Sequence, residues 1–260
     1  MTPAPIERRE GRSFGRPTHW YVRTDTKEKV PGVTGLLKDG KPSPALVGWG
    51  IKSVAEYAIN NWDDLSVMPV AERLKTLKGS PYAERDAAAN RGTEVHALAE
   101  RLVRGEPVEV PDELAGHVEG YAAWLDRFDP EPILTERVCW NLKFGWAGTF
   151  DAILRFRDGR VLLCDIKTSR GVYGDVAYQL EMYAACTHYL GDDGGAVPMP
   201  AVDGLAVLHV RADGTDMYEI RGDRDRILKE ARYIAAVARA VKGCADYIGE
   251  PTEEIREQSA

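Results

Sequence analysis

An apolar run that ends in Asp165-Ile166-Lys167 is the feature that most constrains this chain. Residues 161–164 indicate a buried strand, and strands of that kind rarely carry a carboxylate and an ammonium. Because successive side chains of a strand point to opposite faces, Asp165 and Lys167 share one face while Ile166 points to the other. The end of this strand therefore presents an acid and a cation side by side.

A hairpin turn at Gly159 precedes this strand, and the length of its loop decides where a second acid, Asp151, lies. A two-residue loop would place Asp151 on the face opposite Asp165. A three-residue loop with Gly159 in the left-handed region pairs Phe156 with Arg160. That register sets Asp151 directly across from Asp165, with Cβ atoms about 5 Å apart. Two carboxylates that close repel unless a cation lies between them, so we predict the three-residue loop, or an equivalent bulge, and a divalent metal.

The alternative interpretation is an edge hairpin whose acids and lysine are all solvated. Against it stands the order of the flanking residues, because Gly148-Thr149-Phe150-Asp151 comes before the strand and Gln179-x-x-x-Tyr183 after it. Gln179 and Tyr183 lie one turn apart on a predicted helix, and alone they would be equally well explained as a polar surface pair. The complete set favours a functional site over a solvated hairpin.

A second conspicuous pair, Gly92 and His96, lies four residues apart on one face of a predicted helix. A glycine inside a helix costs about 1 kcal/mol relative to alanine, so we expect another backbone or a ligand to approach closely there. His96 by itself is typical of an ordinary, partly buried histidine. Its interest comes from the acids downstream.

Charge and cysteine content limit the classes of protein to which the chain can belong. The net charge of -7 argues against non-specific coating of nucleic acid, although a nuclease with a local basic groove is compatible with it. Four scattered cysteines without a Cys-x-x-Cys pair indicate reduced thiols in a cytoplasmic protein and not a zinc ribbon. We find neither a secretion signal nor the roughly 20 apolar residues that a membrane span needs.

Three regions are predicted: an N-terminal arm (residues 1–79) with short strands and helices packing on the core, a core (80–245) and a disordered tail (246–260). The first 17 residues or so are expected to be poorly ordered. The order of the elements predicts one α/β domain with a mixed central sheet.

Several helix boundaries follow from capping signals. Ser43-Pro44 predicts a helix that reaches about Asn60, with Trp49 and Tyr57 in the core. Separate helices are predicted over 69–77 and from Ser80-Pro81 to about residue 104. Another helix is expected to end near Leu190.

Together, His96 after Gly-Thr on a helix, Asp151, Asp165-Ile166-Lys167 and Gln179-x-x-x-Tyr183 resemble the PD-(D/E)XK nuclease superfamily. More narrowly, the chain resembles the RecB-type exonuclease branch, which includes exonucleases that bacteriophages carry. The likeness covers roughly residues 80–240. It implies a restriction-endonuclease-like core of αβββαβ order, flanked by helices.

The resemblance also implies a set of metal ligands: His96, Asp151, Asp165 and the carbonyl oxygen of Ile166. It implies that Asp151, Asp165 and Lys167 are catalytic, and that Gln179 and Tyr183 position the DNA or the lysine. Mg²⁺ is the expected ion, and the imidazole makes Mn²⁺ an equal or better one. Some members of the branch hold an iron-sulfur cluster, but the spacing of the four cysteines does not match theirs, so no cluster is expected.

The implied function is that of a metal-dependent DNA exonuclease acting in recombination, repair or replication, consistent with a phage-encoded enzyme. Two alternatives stay open: a structure-specific endonuclease on branched or flapped DNA, and a non-catalytic DNA-binding or assembly subunit with a relict site. Expected partners are DNA and recombination or replication proteins, with no membrane. The sequence leaves polarity, strand preference and oligomeric state open.

Overall fold

A computed structural model describes residues 3–13 and 16–250 of this chain. The strands, in chain order, are β1 (Ile6–Ser13), β2 (Arg16–Arg23), β3 (Lys29–Val30), β4 (Glu131–Asn141), β5 (Trp146–Arg155), β6 (Val161–Lys167), β7 (His188–Leu190), β8 (Ala196–Pro198), β9 (Gly204–Arg211) and β10 (Gly214–Glu219). The α-helices are α1 (Val33–Gly40), α2 (Pro44–Asn60), α3 (Trp62–Val67), α4 (Val70–Val103), α5 (Ala115–Phe128), α6 (Val176–Ala184) and α7 (Arg224–Gly243).

Seven strands form the central sheet in the order β10-β9-β6-β5-β4-β7-β8. β6 and β9 run parallel, and the other neighbours are antiparallel. This confirms the predicted α/β class with a mixed central sheet, and α5, β4, β5, β6, α6 and β9 occur in the expected αβββαβ order, with β7 and β8 inserted between α6 and β9. The predicted end of a helix near Leu190 is wrong, because α6 ends at Ala184 and Leu190 belongs to β7.

The hairpin between β5 and β6 has the predicted three-residue loop. The amide of Phe156 donates to the carbonyl of Arg160 at 2.9 Å, and Gly159 has a φ of +87°. Every pair along this ladder keeps the same register down to Ala152 opposite Cys164. One residue further, Asp151 therefore lies opposite Asp165, as predicted.

Helices cover both faces of the sheet. Buried side chains of α4 and α5 pack on one face, around Leu154 and Leu208. On the other face, α1, α6 and α7 pack around Ile153 and Val207. Small residues bring α1 and α7 close together, because a Cβ at Gly40 would lie only 2.0 Å from the carbonyl oxygen of Ile234. This close packing fixes α1 beside the ends of β5 and β6.

The prediction of a poorly ordered N-terminus is wrong for most of its length. β1 pairs with β2 from Ile6 to Ser13, and β3 completes a three-stranded antiparallel sheet. Ile6 and Tyr21 are buried against Trp140 of the central sheet, and this burial anchors an otherwise polar strand. Residues 1, 2, 14 and 15 lie outside the described residues.

The two helices predicted on either side of Ser80-Pro81 are one helix, α4. A proline inside a helix removes the hydrogen bond to the carbonyl four residues earlier, here that of Leu77. The hydroxyl of Ser80 donates to that carbonyl at 3.0 Å, which replaces the lost bond and lets the helix continue. The predicted boundary between residues 79 and 80 therefore falls inside a helix.

Helix α2 has the predicted bounds but not the predicted burial. Each of its residues is exposed or half-buried, including Trp49 and Tyr57, which were expected in the core.

Of the predicted disordered tail 246–260, residues 251–260 lie outside the described residues, and a 3₁₀ turn covers Cys244–Tyr247. Within residues 3–13 and 16–250, helices that combine the length and apolarity needed to cross a membrane are absent.

Candidate active site

Three carboxylates lie in a row across three neighbouring strands. The register of β4 with β5 places Glu136 opposite Asp151, and the register of β5 with β6 places Asp151 opposite Asp165. Directly opposed like charges are destabilising in a sheet. A row of three acids at the sheet centre therefore indicates a site for a cation.

His96 reaches this row from α4. Its Nδ1 lies 3.5 Å from Oδ2 of Asp151, and ligand atoms of His96, Glu136 and Asp151 all lie within 4.8 Å of one another. One turn earlier, a Cβ at Gly92 would lie 3.1 Å from the Thr168 hydroxyl. The close protein neighbour of the glycine is thus a side chain just after β6 and not another backbone, while Gly92 also lines the cleft described below, so a ligand there stays a prediction.

Asp165 belongs to a second group, with Lys167, Gln179 and Tyr183. Lys167 Nζ lies 2.6 Å from Asp165 Oδ2 and donates to Gln179 Oε1 at 3.2 Å. The amide nitrogen of Gln179 donates to Asp165 Oδ1 at 2.9 Å and lies 3.4 Å from the Tyr183 hydroxyl. The predicted one-turn spacing on α6 therefore brings both polar side chains to the lysine and the second acid.

The Oδ2 atom of Asp165 is buried, and the Lys167 ammonium 2.6 Å away is its charged partner. A buried carboxylate is costly unless it is paired, so this lysine is what makes the burial of Asp165 possible.

Each of the three residues before Asp151 has a structural role. Gly148 makes room for the Tyr183 ring, and the hydroxyls of Thr149 and Tyr21 lie 2.9 Å apart, which ties β5 to the N-terminal sheet. Phe150 is fully buried in the core. Asp151 itself accepts a hydrogen bond from the Ile166 amide at 2.6 Å, so its carboxylate is held against the backbone of β6.

All three acids have raised pKa values. Burial raises the pKa of Asp151 to about 6, against the lowering effect of the Ile166 amide. Burial, and then the neighbouring Asp151, raise the pKa of Asp165 to about 6. Burial, Asp151 and Glu100 raise the pKa of Glu136 to about 8. The carboxylate forms are therefore unfavourable without added positive charge, as expected of residues that hold a metal ion.

The imidazole is biased toward its neutral, ligating form. Burial lowers the pKa of His96, against the raising effects of Asp165 and of a hydrogen bond with the Ile166 main chain. That contact brings Ile166, whose carbonyl oxygen was predicted as a ligand, next to the histidine. Carboxylate oxygens with one imidazole suit Mg²⁺ or Mn²⁺, so the donor set fits the expected ions.

Glu136 is the residue that the sequence did not assign. Its φ is +48°, in the left-handed region that a residue other than glycine adopts at a cost, and β4 shifts its register between Pro132 and Leu134. Strained backbone beside a cluster of acids is typical of functional sites. Asp165, by contrast, lies outside the group of His96, Glu136 and Asp151 because Lys167 and Gln179 engage it.

Except for Ile166, the predicted site residues line one cleft of about 850 Å³, together with Glu136. Residues of the N-terminal sheet and of α1, among them Arg8, Tyr21 and Thr34, line it as well. Arg155 and Arg157 do not line this cleft and pair instead with Glu131 and Asp129. The cleft is thus built jointly by the core and the N-terminal segment.

Comparison with known proteins adds little to this geometry. No protein-family model matches the chain, and no curated protein matches it. Among solved structures that match, one described as "Crystal structure of SSO0001" is 15% identical, covering 84% of this chain and 76% of that chain, with a TM-score of 0.29. A likeness at that TM-score carries no argument about fold or function.

Proposed function

We propose that the protein is a metal-dependent DNA exonuclease of the RecB-type branch of the PD-(D/E)XK superfamily. The observation that carries the proposal is the pairing of Asp151 with Asp165 across two strands, with Lys167 and His96 in the same cleft. The two acids lie on the two strands of one hairpin, and their meeting at this register is what the superfamily resemblance requires. A solvated hairpin would not bury Asp165 or raise the pKa of both acids.

His96, Glu136 and Asp151 would hold the ion, with Asp165 and the Ile166 carbonyl as further candidates beside it. When bound, Mg²⁺ or Mn²⁺ would neutralise charge on the phosphodiester and lower the pKa of a coordinated water. The imidazole contact with Asp151 supports Mn²⁺ as an alternative to Mg²⁺.

We expect no iron-sulfur cluster. The thiols of Cys139, Cys164 and Cys186 are buried apart from this cleft.

Lys167 would act by its charge. Asp165 and Gln179 hold its ammonium at the cleft wall, where it can stabilise the negative charge that develops on the phosphate oxygens. Removing a proton from Lys167 would leave Asp165 without its counter-charge, which disfavours a role as general base. Gln179 is then a positioning residue for the lysine and the second acid, and not a group that contacts the reacting atoms.

The lining of the cleft supports an exonuclease over an endonuclease. Residues of β1, β2 and α1 border the acids, so the cleft is not a simple groove along the core. Such a cleft suits a strand that enters by its end better than an internal site in duplex DNA. The acids, lysine and histidine are all present and connected, which counts against a relict site in a binding subunit.

The proposal is tested by incubating the protein with linear and covalently closed DNA in Mg²⁺ or Mn²⁺. An exonuclease degrades the linear DNA and leaves closed circles intact, and Lys167→Ala abolishes degradation. Nicking of closed circles would favour the endonuclease instead. Binding without cleavage by the wild-type chain in either metal would favour the non-catalytic subunit and overturn the proposal.

The proposed setting is the cytoplasm, where the four free thiols stay reduced. The proposed substrate is DNA undergoing recombination, repair or replication, as in the phage exonucleases that the sequence resembles. Recombination or replication proteins are the expected partners, and no membrane contact is proposed.

A further inference from the structure

A second cleft, of about 490 Å³, adjoins the candidate active site. It lies between the connection from α1 to α2 and the loop from β6 to α6. Thr34, Lys167 and Gln179 line both this cleft and the first one. The candidate catalytic lysine therefore borders both clefts.

The second cleft differs from the first in its chemistry. Its charged lining consists of Lys38, Lys41 and Lys167 with a single acid, Asp175, which pairs with Lys41 at 3.1 Å. Tyr173, from the β6–α6 loop, lines it with 66% of its surface exposed. Cations beside an exposed aromatic ring are the combination that binds unpaired nucleic acid, through the phosphates and the faces of the bases.

We propose that this second cleft binds the unpaired nucleotides of a DNA strand whose neighbouring phosphate lies at Lys167. Tyr173 stacks on a base, and Lys38 contacts a backbone phosphate. The inference rests on the proposed nuclease function and adds the substrate class, a single-stranded end. Stacking on a side chain needs a free base face, which a paired duplex does not offer beside an enzyme surface.

Two observations favour this occupant over a peptide or a second copy of the chain. The cleft adjoins the candidate active site and shares Lys167 with it, so a strand held at Lys167 is within reach of this cleft. Its lysines complement a polyanion. Leu46 and Val47, which are 56% and 65% exposed, are the part of the lining that a second copy would cover, and the test below separates that occupant. A docked apolar helix would not account for the lysines.

The test measures binding of fluorescent single-stranded oligonucleotides by anisotropy in EDTA, where the proposed reaction cannot proceed. We expect Tyr173→Ala to weaken binding by about 5- to 150-fold, and Tyr173→Phe to bind like wild type, because the ring provides the stacking surface. Tyr233→Ala is the matched control, since Tyr233 is 61% exposed on α7 and lies outside both clefts. Lys38→Gln should lower the slope of log K against log salt by about 0.7.

Abasic substrates separate stacking from a structural effect. A single abasic site, moved along the oligonucleotide, should weaken binding to the wild type at one position. At that position it should have little further effect on Tyr173→Ala, because both changes remove the same contact. The abasic measurement with the wild-type chain is enough to reveal the stacked base, so the test remains valid even if the variant folds poorly.

The outcomes distinguish the two proposals. If the wild type degrades linear DNA but abasic sites and Tyr173→Ala change nothing, the second cleft does not bind the strand and this inference is wrong, while the proposed function stands. If the wild type neither binds nor cleaves DNA, both fail. Self-association of the wild type that Leu46→Glu abolishes, without any effect of Tyr173→Ala on DNA, would assign the cleft to a second copy instead.

Discussion

Gly148 of β5 lies directly against the ring of Tyr183 on α6. A Cβ built at Gly148 would lie 2.3 Å from Cε1 of that ring, which is far inside van der Waals contact. Tyr183 is buried, and its hydroxyl lies 3.4 Å from the Gln179 amide nitrogen that in turn binds Asp165. The glycine therefore sets how close α6 comes to the sheet, and with it the position of the Gln179 side chain.

Replacing this glycine should destabilise the protein and misplace the site. Gly148→Ala forces the ring or the strand to shift, and we expect a loss of about 1 to 3 kcal/mol in the free energy of unfolding. Gly48→Ala is the control, because a Cβ there points into open space on α2 and should stabilise by up to about 1 kcal/mol. Urea unfolding of both variants measures the difference. Equal midpoints for the two would contradict the close packing.

The buried acids should make the metal-free protein less stable at high pH. Asp151 has a folded pKa of about 6 against an ordinary value of 3.8, so its folded form binds the proton more tightly than its unfolded form. The resulting destabilisation is absent at low pH, grows as the pH rises from about 4, and is complete above about 6. This difference between the folded and the ordinary pKa corresponds to a loss of up to about 3 kcal/mol in the free energy of unfolding.

Asp151→Asn removes this effect while leaving an acceptor for the Ile166 amide. In EDTA at pH 8 the variant should therefore exceed the wild type in stability by up to about 3 kcal/mol, and at pH 4.5 the difference should shrink by roughly two thirds. Mg²⁺ or Mn²⁺ should raise the melting temperature of the wild type at pH 8 and have little effect on the variant. A difference that is the same at both pH values would show that Asp151 is not the cause.

Glu136 should be required for metal binding. Glu136→Gln removes a carboxylate ligand from the group that Glu136 forms with His96 and Asp151, whose ligand atoms lie within 4.8 Å of one another. We therefore expect the metal concentration for half-maximal cleavage to rise by at least about 10-fold. Glu131→Gln is the matched control on the same strand, where the glutamate is exposed and pairs with Arg155. Metal titrations of thermal stability and of cleavage give the comparison. Indistinguishable titrations for the two variants would exclude Glu136 from the site.

Gln179 should affect the rate of cleavage more than the binding of DNA. Gln179→Leu removes the acceptor of Lys167 and the donor to Asp165, so the ammonium loses its fixed position. A misplacement of about 1 Å can cost roughly 100-fold in rate, and we expect a fall in kcat of about that size with little change in KM. Tyr183→Phe loses only a 3.4 Å contact and should be much less affected. A rise in KM with unchanged kcat would instead assign Gln179 to substrate binding.

The sequence predicted the hairpin and its acids because local rules decide both. Side-chain alternation and the left-handed glycine fix the register from Phe156 to Asp151, whatever else packs around them. The spacing of Gln179 and Tyr183 followed from one helical turn in the same way. These features needed no knowledge of the tertiary structure.

The features that the sequence missed depend on contacts between distant segments. Glu136 faces the site through a left-handed backbone conformation that glutamate does not signal. Residues 188–190 form a strand because they pair with β4 and β8, although their composition suits a continued helix. β1 is a polar strand that Ile6 and its pairing with β2 hold in place. Tertiary pairing overrode local preference in each case.

Helix α4 runs without a break from the N-terminal segment into the candidate metal site. It begins ten residues before Ser80-Pro81 and carries His96 in its second half, a rod of about 51 Å. A protein shortened to residues 80–245 would start in the middle of this rod and would lack Tyr21, which ties β5 to the N-terminal sheet. The predicted core, residues 80–245, is therefore not expected to fold and work as an excised fragment.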